Sequence, residues 1–222
     1  YLPENDPHAD AWARLSPQER QELTEWMRVY YAMTANLDDN IGRLVKAIRE
    51  LELEENTIFI FTSDHGELFG AHGRRAKNIF YEEAVRVPFL IRWKGVIPAG
   101  RKCGVPFNTV DIMPTLLSMM GLPVPAEAEG RDISQYILGK ADESQLDEYY
   151  GCLMMGTGAT ATFEDGHEWR AYRTKQYTYA VFKSDGMEFL FDNINDPYQM
   201  ENLIGRVEYR ELAAELKKRM YN

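Results

Sequence analysis

Apolar positions along this chain follow two regimes, a helical period with isolated apolar runs up to about residue 145 and short aromatic segments after it. Residues 1–15 hold no period, with Pro3 and Pro7 breaking any element. Ser16-Pro17-Gln18-Glu19 then spells a capping box with proline at the first helical position. Behind it Leu23, Trp26, Met27, Tyr30, Leu37, Ile41, Leu44, Val45, Ile48 and Leu51 recur at helical spacing. The pattern predicts one long helix over 17–51 with a core-facing stripe, and Asn36 to Gly42 is the place for a bend.

Next comes Ile58-Phe59-Ile60-Phe61, a continuous apolar run that predicts a strand over 57–62 buried on both faces. A loop punctuated by Gly66, Gly70 and Gly73 follows, with a helical turn near 78–84 and a second apolar strand from Val87 to Trp93. Thr109 or Asp111 caps a helix over 111–120, stopped by Gly121, and a linker through Pro123 and Pro125 leads to a short helix over 133–138. Strand and helix alternating in this order indicate an α/β sheet with parallel strands. Segments 148–155, 168–174, 177–183 and 188–192 read as antiparallel strands, with Asp165-Gly166 and Asp185-Gly186 as hairpin turns. A helix over 206–220 closes the chain. The expected division is an α/β core over 1–145 and a small antiparallel β plus helix subdomain over 146–222.

Charge narrows the partners. Twenty-five Lys and Arg against 35 Asp and Glu leave −10, without the basic stripe of a nucleic-acid binder. No run is long and apolar enough for a membrane span. Cys103 and Cys152 lack CxxC spacing and leave either one bridge or two free thiols. Oligomeric state has no handle in the sequence.

The chemistry gathers after the first strand, in Thr62-Ser63-Asp64-His65-Gly66-Glu67. Ligands collect beyond the carboxyl ends of strands in open α/β sheets, so Asp64 and His65 are candidate metal ligands by position. Asp64 offers a hard oxygen, and His65 a ring nitrogen or a supporting hydrogen bond. Lys77 stands thirteen residues past Asp64, and a cation and an ammonium converging on one spot suit a sulfate or phosphate group.

These residues resemble the sulfatase family of the alkaline-phosphatase superfamily. Ser63-Asp64-His65-Gly66-Glu67, Gly70, His72-Gly73, Lys77, Tyr81-Glu82-Glu83 and Arg86-Val87-Pro88 are similar to its second metal-site half. Flanking matches are Tyr30-Tyr31-Ala32, Leu37 to Arg43, Val110 to Leu117, Gly130-Arg131-Asp132, Leu190-Phe191-Asp192 and Asn195-Asp196-Pro197. The resemblance implies an alkaline-phosphatase-like α/β fold with a mixed, mainly parallel sheet and flanking helices, followed by the small antiparallel subdomain.

It also implies roles. Asp64 and His65 would hold a divalent cation, calcium in most sulfatases, with magnesium or manganese as alternatives. Lys77 would touch the sulfate and stabilise charge on the leaving oxygen. His72 is either near the substrate or structural. Arg74 and Arg75 depart from the more apolar or aromatic residues common at this point in the family, and are either solvated surface cations or contacts to extra anionic groups of the substrate. The substrate class is a sulfate ester or sulfated saccharide, and the compartment periplasmic or extracellular.

One part of the family pattern is missing. The nucleophile motif Cys/Ser-x-Pro-x-Arg, whose first residue becomes formylglycine, does not occur around Cys103 or Cys152. The chain therefore reads as the C-terminal portion of a sulfatase-like enzyme, inactive alone. A phosphodiesterase or phosphonate monoester hydrolase of the same superfamily would use Asp64, His65 and Lys77 equally well. A non-catalytic α/β module is the alternative from another class.

Overall fold

A computed structural model describes residues 15–74, 77–156 and 168–222. The chain forms two compact units, one within Tyr1–Lys77 and Glu83–Val96, the other of Asn78–Glu82 and Ile97–Asn222. The expected hairpin at Asp165-Gly166 falls outside the described residues.

In the first unit, α1 runs from Pro17 to Glu50 without a break at Asn36–Gly42. The capping box forms as read: the Ser16 hydroxyl accepts from the Glu19 N–H at 3.2 Å, and the Glu19 carboxylate accepts from the Ser16 N–H at 2.7 Å. The stripe does not become core here. Leu23 is buried, but Trp26, Val29, Tyr30, Met33, Leu37 and Leu44 are exposed. A helical period makes an apolar face; burying it needs an opposing surface.

Strand β1 (Phe59–Thr62) pairs with β2 (Phe89–Arg92), and the pairing is antiparallel, Phe59 facing Arg92 and Thr62 facing Phe89. The parallel pairing expected of these two strands is thereby corrected. A parallel crossover needs a dozen or more residues, usually helical, to carry the chain back. Among the described residues between these strands the only α-helix is α2 (Glu82–Val85), a single turn. Nor is β1 buried on both faces, for its first three residues are half-buried and Thr62 is exposed. Beyond β2 the chain is stapled back to the turn before β1: Glu54 takes Arg92 and Lys94, and the Trp93 indole donates to the Glu55 carbonyl at 3.0 Å.

In the second unit, α3 spans Thr109–Met119 and α4 Ser134–Ile137. Asn108, rather than Thr109 or Asp111, caps α3; Asp111 supplies the reciprocal carboxylate at 2.9 Å from the Asn108 N–H. Asp111 then turns to Arg131, accepting from its backbone N–H at 2.7 Å and its Nη2 at 2.9 Å. The guanidinium also reaches the Gly151 carbonyl and lies over the Tyr150 ring. Gly130 is what lets this segment approach, since a Cβ there would stand 1.8 Å from the Val110 carbonyl oxygen.

Four strands follow in meander order, β3 (Gly151–Gly156), β4 (Trp169–Thr174), β5 (Tyr177–Phe182) and β6 (Glu188–Asp192), each antiparallel to the next. Alternation divides their side chains between two buried faces. Tyr179, Val181 and Leu190 pack with Leu216 and Met220 of α5 (Arg210–Tyr221). The other face carries Trp169, Phe182, Phe189 and Phe191, and all four rings gather around Phe80, which is fully buried. On the same face Ala171 and Ala180 sit opposite each other, and their small side chains leave room for that ring.

Both cysteines are free thiols, Cys103 exposed and Cys152 buried. Among the described residues no helix is long and apolar enough to cross a membrane.

Candidate active site

The loop after β1 brings Asp64 and His65 to the end of the strand, as expected. Asp64 is open to solvent, its side chain 82% exposed, while the His65 ring is half-buried. The Asp64 Oδ1 accepts the His65 N–H at 3.0 Å and lies 3.3 Å from the Ser63 hydroxyl. Its Oδ2 stands 3.1 Å from His65 Nε2. Partial desolvation alone would raise the Asp64 carboxyl, but the His65 and Asp64 backbone N–H groups and the Ser63 hydroxyl outweigh it. The carboxyl is held below the usual range and is an anion at neutral pH. His65 Nδ1 is turned to the Gly66 carbonyl at 2.7 Å, which directs Nε2 outward toward Asp64.

Two donors about 3 Å apart suit adjacent positions on one cation with bonds of about 2.3–2.6 Å. The donor set, one carboxylate and one imidazole, is partial. No group of three or more His, Cys, Asp or Glu converges on a cation site among the described residues. A cation bound at Asp64 and His65 needs further ligands.

The loop is held from behind. Gly66 donates its N–H to the Ala84 carbonyl at 2.8 Å, and a Cβ on Gly66 would meet the Glu83 carbonyl oxygen at 1.8 Å. Only glycine allows α2 to press so closely behind the Asp64-His65 pair. Further on, Phe69 packs edge-to-face on Tyr30 of α1, with ring centroids 4.9 Å apart. Phe69, His72 and Asn78 all have positive φ, at 46°, 55° and 68°. Three non-glycine residues in that conformation within ten positions concentrate strain in this loop, a feature of functional segments.

The other candidates fall into different settings. His72 is fully buried, its Nε2 3.3 Å from Glu83 Oε2, so the imidazole faces Glu83 and not solvent. Arg74 is 7% exposed, which overturns its reading as a solvated surface cation. Arg75 lies outside the described residues. Lys77 is half-buried at the end of the loop.

Sequence reasoning missed what grips the residues immediately after Lys77. The Trp169 indole donates to the Asn78 carbonyl at 2.7 Å. Gln199, fully buried with φ of 50°, accepts the Glu82 N–H at 2.9 Å. Arg173 meets the Glu82 carboxylate through two hydrogen bonds of 2.6 and 2.9 Å. The sequence sign was Trp169 and Arg173 on one face of β4, four positions apart.

A carboxylate and an imidazole thus stand together at the end of β1, in a chain whose α/β elements are followed in sequence by a four-stranded antiparallel sheet. The chain matches the family described as Sulfatase over residues 2–122, and the one described as N-sulphoglucosamine sulphohydrolase, C-terminal, over residues 70–222. It belongs to the sulfatase family.

The Ulvan-active sulfatase of Formosa agariphila is 38% identical over 205 residues, which are 91% of this chain and 39% of that protein. A solved complex with the substrate D-glucosamine-2-N,6-O-disulfate has a TM-score of 0.79 at 26% identity, covering 94% of this chain and 42% of that one. The phosphonate monoester hydrolase of Agrobacterium radiobacter has a TM-score of 0.77 at 23% identity, over 95% of this chain and 43% of that one. That last likeness shows the shared fold alone. The chain spans 39% of the first of these relatives and 42% of the second.

Proposed function

We propose that the full-length protein containing this chain hydrolyses sulfate esters of an anionic saccharide, with Asp64 and His65 supplying part of a divalent cation's coordination and Lys77 contacting the sulfate group. The observation that carries the reading is the Asp64 Oδ2–His65 Nε2 approach of 3.1 Å at the end of β1, on a carboxylate that is open to solvent. Membership of the family, with a relative named as Ulvan-active and another solved with a sulfated glucosamine, supports a sulfated saccharide over other esters.

When bound, the cation would draw charge from a sulfate oxygen and orient the ester; calcium is the expected ion, with Asp64 supplying one hard carboxylate oxygen. The chain's own residues do the rest of the work assigned here. Asp64 holds its charge at neutral pH, and His65 keeps Nε2 outward through its bond to the Gly66 carbonyl. Lys77 stabilises negative charge developing on the leaving oxygen. The bond-making nucleophile, expected as formylglycine, has no candidate in this chain, so the isolated 222 residues are expected to release no sulfate. A polysaccharide substrate places the work outside the cytoplasm, in the periplasm or beyond.

The test uses the full-length protein with ulvan, glucosamine disulfate and 4-nitrophenyl sulfate, following sulfate release with calcium and after chelation. Calcium-dependent sulfate release, abolished in Asp64→Ala and cut about 100-fold or more in Lys77→Ala, is the expected result. Release of the alcohol from phosphonate monoester or phosphodiester substrates with no release of sulfate would overturn the reading in favour of phosphoryl chemistry.

A further inference from the structure

Lys77 is followed by five residues that pack entirely into the second unit. Three of them, Asn78, Phe80 and Glu82, alternate along the segment and meet one face of β4–β6. Trp169 takes the Asn78 carbonyl and touches Phe80, and Arg173, two positions beyond Ala171 on the same face, takes Glu82. Gln199 accepts the Glu82 N–H and is itself fixed, donating its amide to Asn193 at 2.9 Å. Asn193 in turn donates to the Thr178 hydroxyl at 2.9 Å.

For stability alone this arrangement is poorly chosen. Phe80, in its ring of aromatics, already supplies the apolar anchor. A buried ion pair adds little net stability over apolar packing, and Gln199 and Asn78 both sit at positive φ, where non-glycine residues are strained. What an ion pair and a directed amide add to an apolar anchor is register, because hydrogen bonds tolerate little sliding. The backbone of Asn78 lies one peptide, about 3.8 Å between Cα atoms, from that of Lys77. Fixing 78–82 therefore fixes the chain from the residue that follows the lysine.

We infer that Arg173, acting with Gln199 through Glu82, is a positioning residue for Lys77: the sheet clamps the segment after the lysine and determines where its ammonium can reach. The inference rests on the role of Lys77 given above.

The test takes the full-length protein and a series of substituted phenyl sulfates of graded leaving-group acidity. The variants are Lys77→Ala, Arg173→Gln, Arg173→Lys, Glu82→Gln and the double variant of Lys77→Ala with Arg173→Gln. Arg173→Gln and Glu82→Gln are expected to lower kcat about 10- to 100-fold with a smaller change in KM. Both should steepen the dependence of kcat on leaving-group pKa, as Lys77→Ala does, because less charge on the leaving oxygen is stabilised. Arg173→Lys, which keeps a charged hydrogen bond to Glu82, should recover part of the rate. In the Lys77→Ala background Arg173→Gln should cost nothing further.

A variant that merely unfolds lowers kcat equally for every leaving group and leaves that slope unchanged, and Glu82→Gln serves where Arg173→Gln does not fold. Wild-type slopes in both clamp variants, or losses that multiply with Lys77→Ala, overturn the clamp while leaving Lys77 in its role. Wild-type turnover and slope in Lys77→Ala would remove the lysine's role, and the clamp with it.

Discussion

Asp64 and Asp111 are both aspartates at element boundaries, and they have opposite fates. Asp111, 1% exposed, spends its lone pairs on the Asn108 and Arg131 backbone N–H groups and on the Arg131 guanidinium. Asp64, 82% exposed, bonds among the described residues to its own backbone and to its neighbours Ser63 and His65, and stays open to solvent. The first carboxylate is saturated by the protein, so it can only hold the fold together. The second is preorganised but unsaturated, which leaves it able to bind something else. Burial and saturation, rather than residue type, separate the structural acid from the one proposed for chemistry.

The largest test of this contrast is Asp111→Ala. It takes the carboxylate from the Arg131 guanidinium and leaves two backbone donors without it, and about 3 kcal/mol of stability should be lost. For a chain of this size that is a fall in Tm of roughly 6–12 °C in thermal denaturation. A shift under about 2 °C would break the comparison on its structural side.

Gly66→Ala comes next, since its Cβ must displace the Glu83 carbonyl. About 2 kcal/mol of stability and about 100-fold in kcat/KM of the full-length protein are expected, the second by moving Asp64 and His65. Unchanged kinetics would mean that the strap behind the loop does not position the pair.

Asp192 sharpens the contrast because neutral groups saturate it. It accepts from the Ile194 and Asn195 N–H groups at 3.0 and 3.1 Å and from the Asn195 and Gln176 amides at 2.8 and 2.9 Å. Burial alone would raise its carboxyl, and these donors outweigh burial and lower it. A folded-state pKa below the unfolded value of about 3.9 gives stability that is present above that value and lost as pH falls through the folded pKa. Asp192→Asn should cost about 1–2 kcal/mol near pH 7. In denaturant titrations the gap from wild type should close below about pH 3.9.

The smallest effect is expected at Asp64. In chelator, Asp64→Ala should leave the Tm of the full-length protein within measurement error. With calcium added, wild type should gain stability as ligand binding to the native state requires, and the variant should not. A marked loss in chelator would make Asp64 a structural acid after all.

Much of the architecture was legible in order along the chain. The Ser16–Glu19 capping box, the four antiparallel strands and the closing helix were each readable because the signal is local: a cap, a period, a turn dipeptide. Asp64 and His65 were legible as a pair because they end an apolar run. Other features were not. The antiparallel pairing of β1 with β2 depends on how residues 63–88 return, which no local pattern states. Asn108 rather than Thr109 caps α3 because Asp111 answers the Asn108 N–H. His72 and Arg74 carried charge or a titratable ring in a loop that looked open, and the chain buries both.

What the sequence determined by itself is therefore local and chemical: where elements start and stop, which face of each is apolar, and which loop carries a carboxylate, an imidazole and an amine. The tertiary structure alone decided which of those groups stay available. Hydrophobic periodicity in α1 made an apolar face that is largely exposed among the described residues, since burial is a property of two surfaces. Saturation of Asp111 by Arg131, and the capture of Asn78–Glu82 by a sheet some ninety residues later, join groups far apart in sequence. Local propensity has no term for such distances; only packing and hydrogen-bond geometry select them.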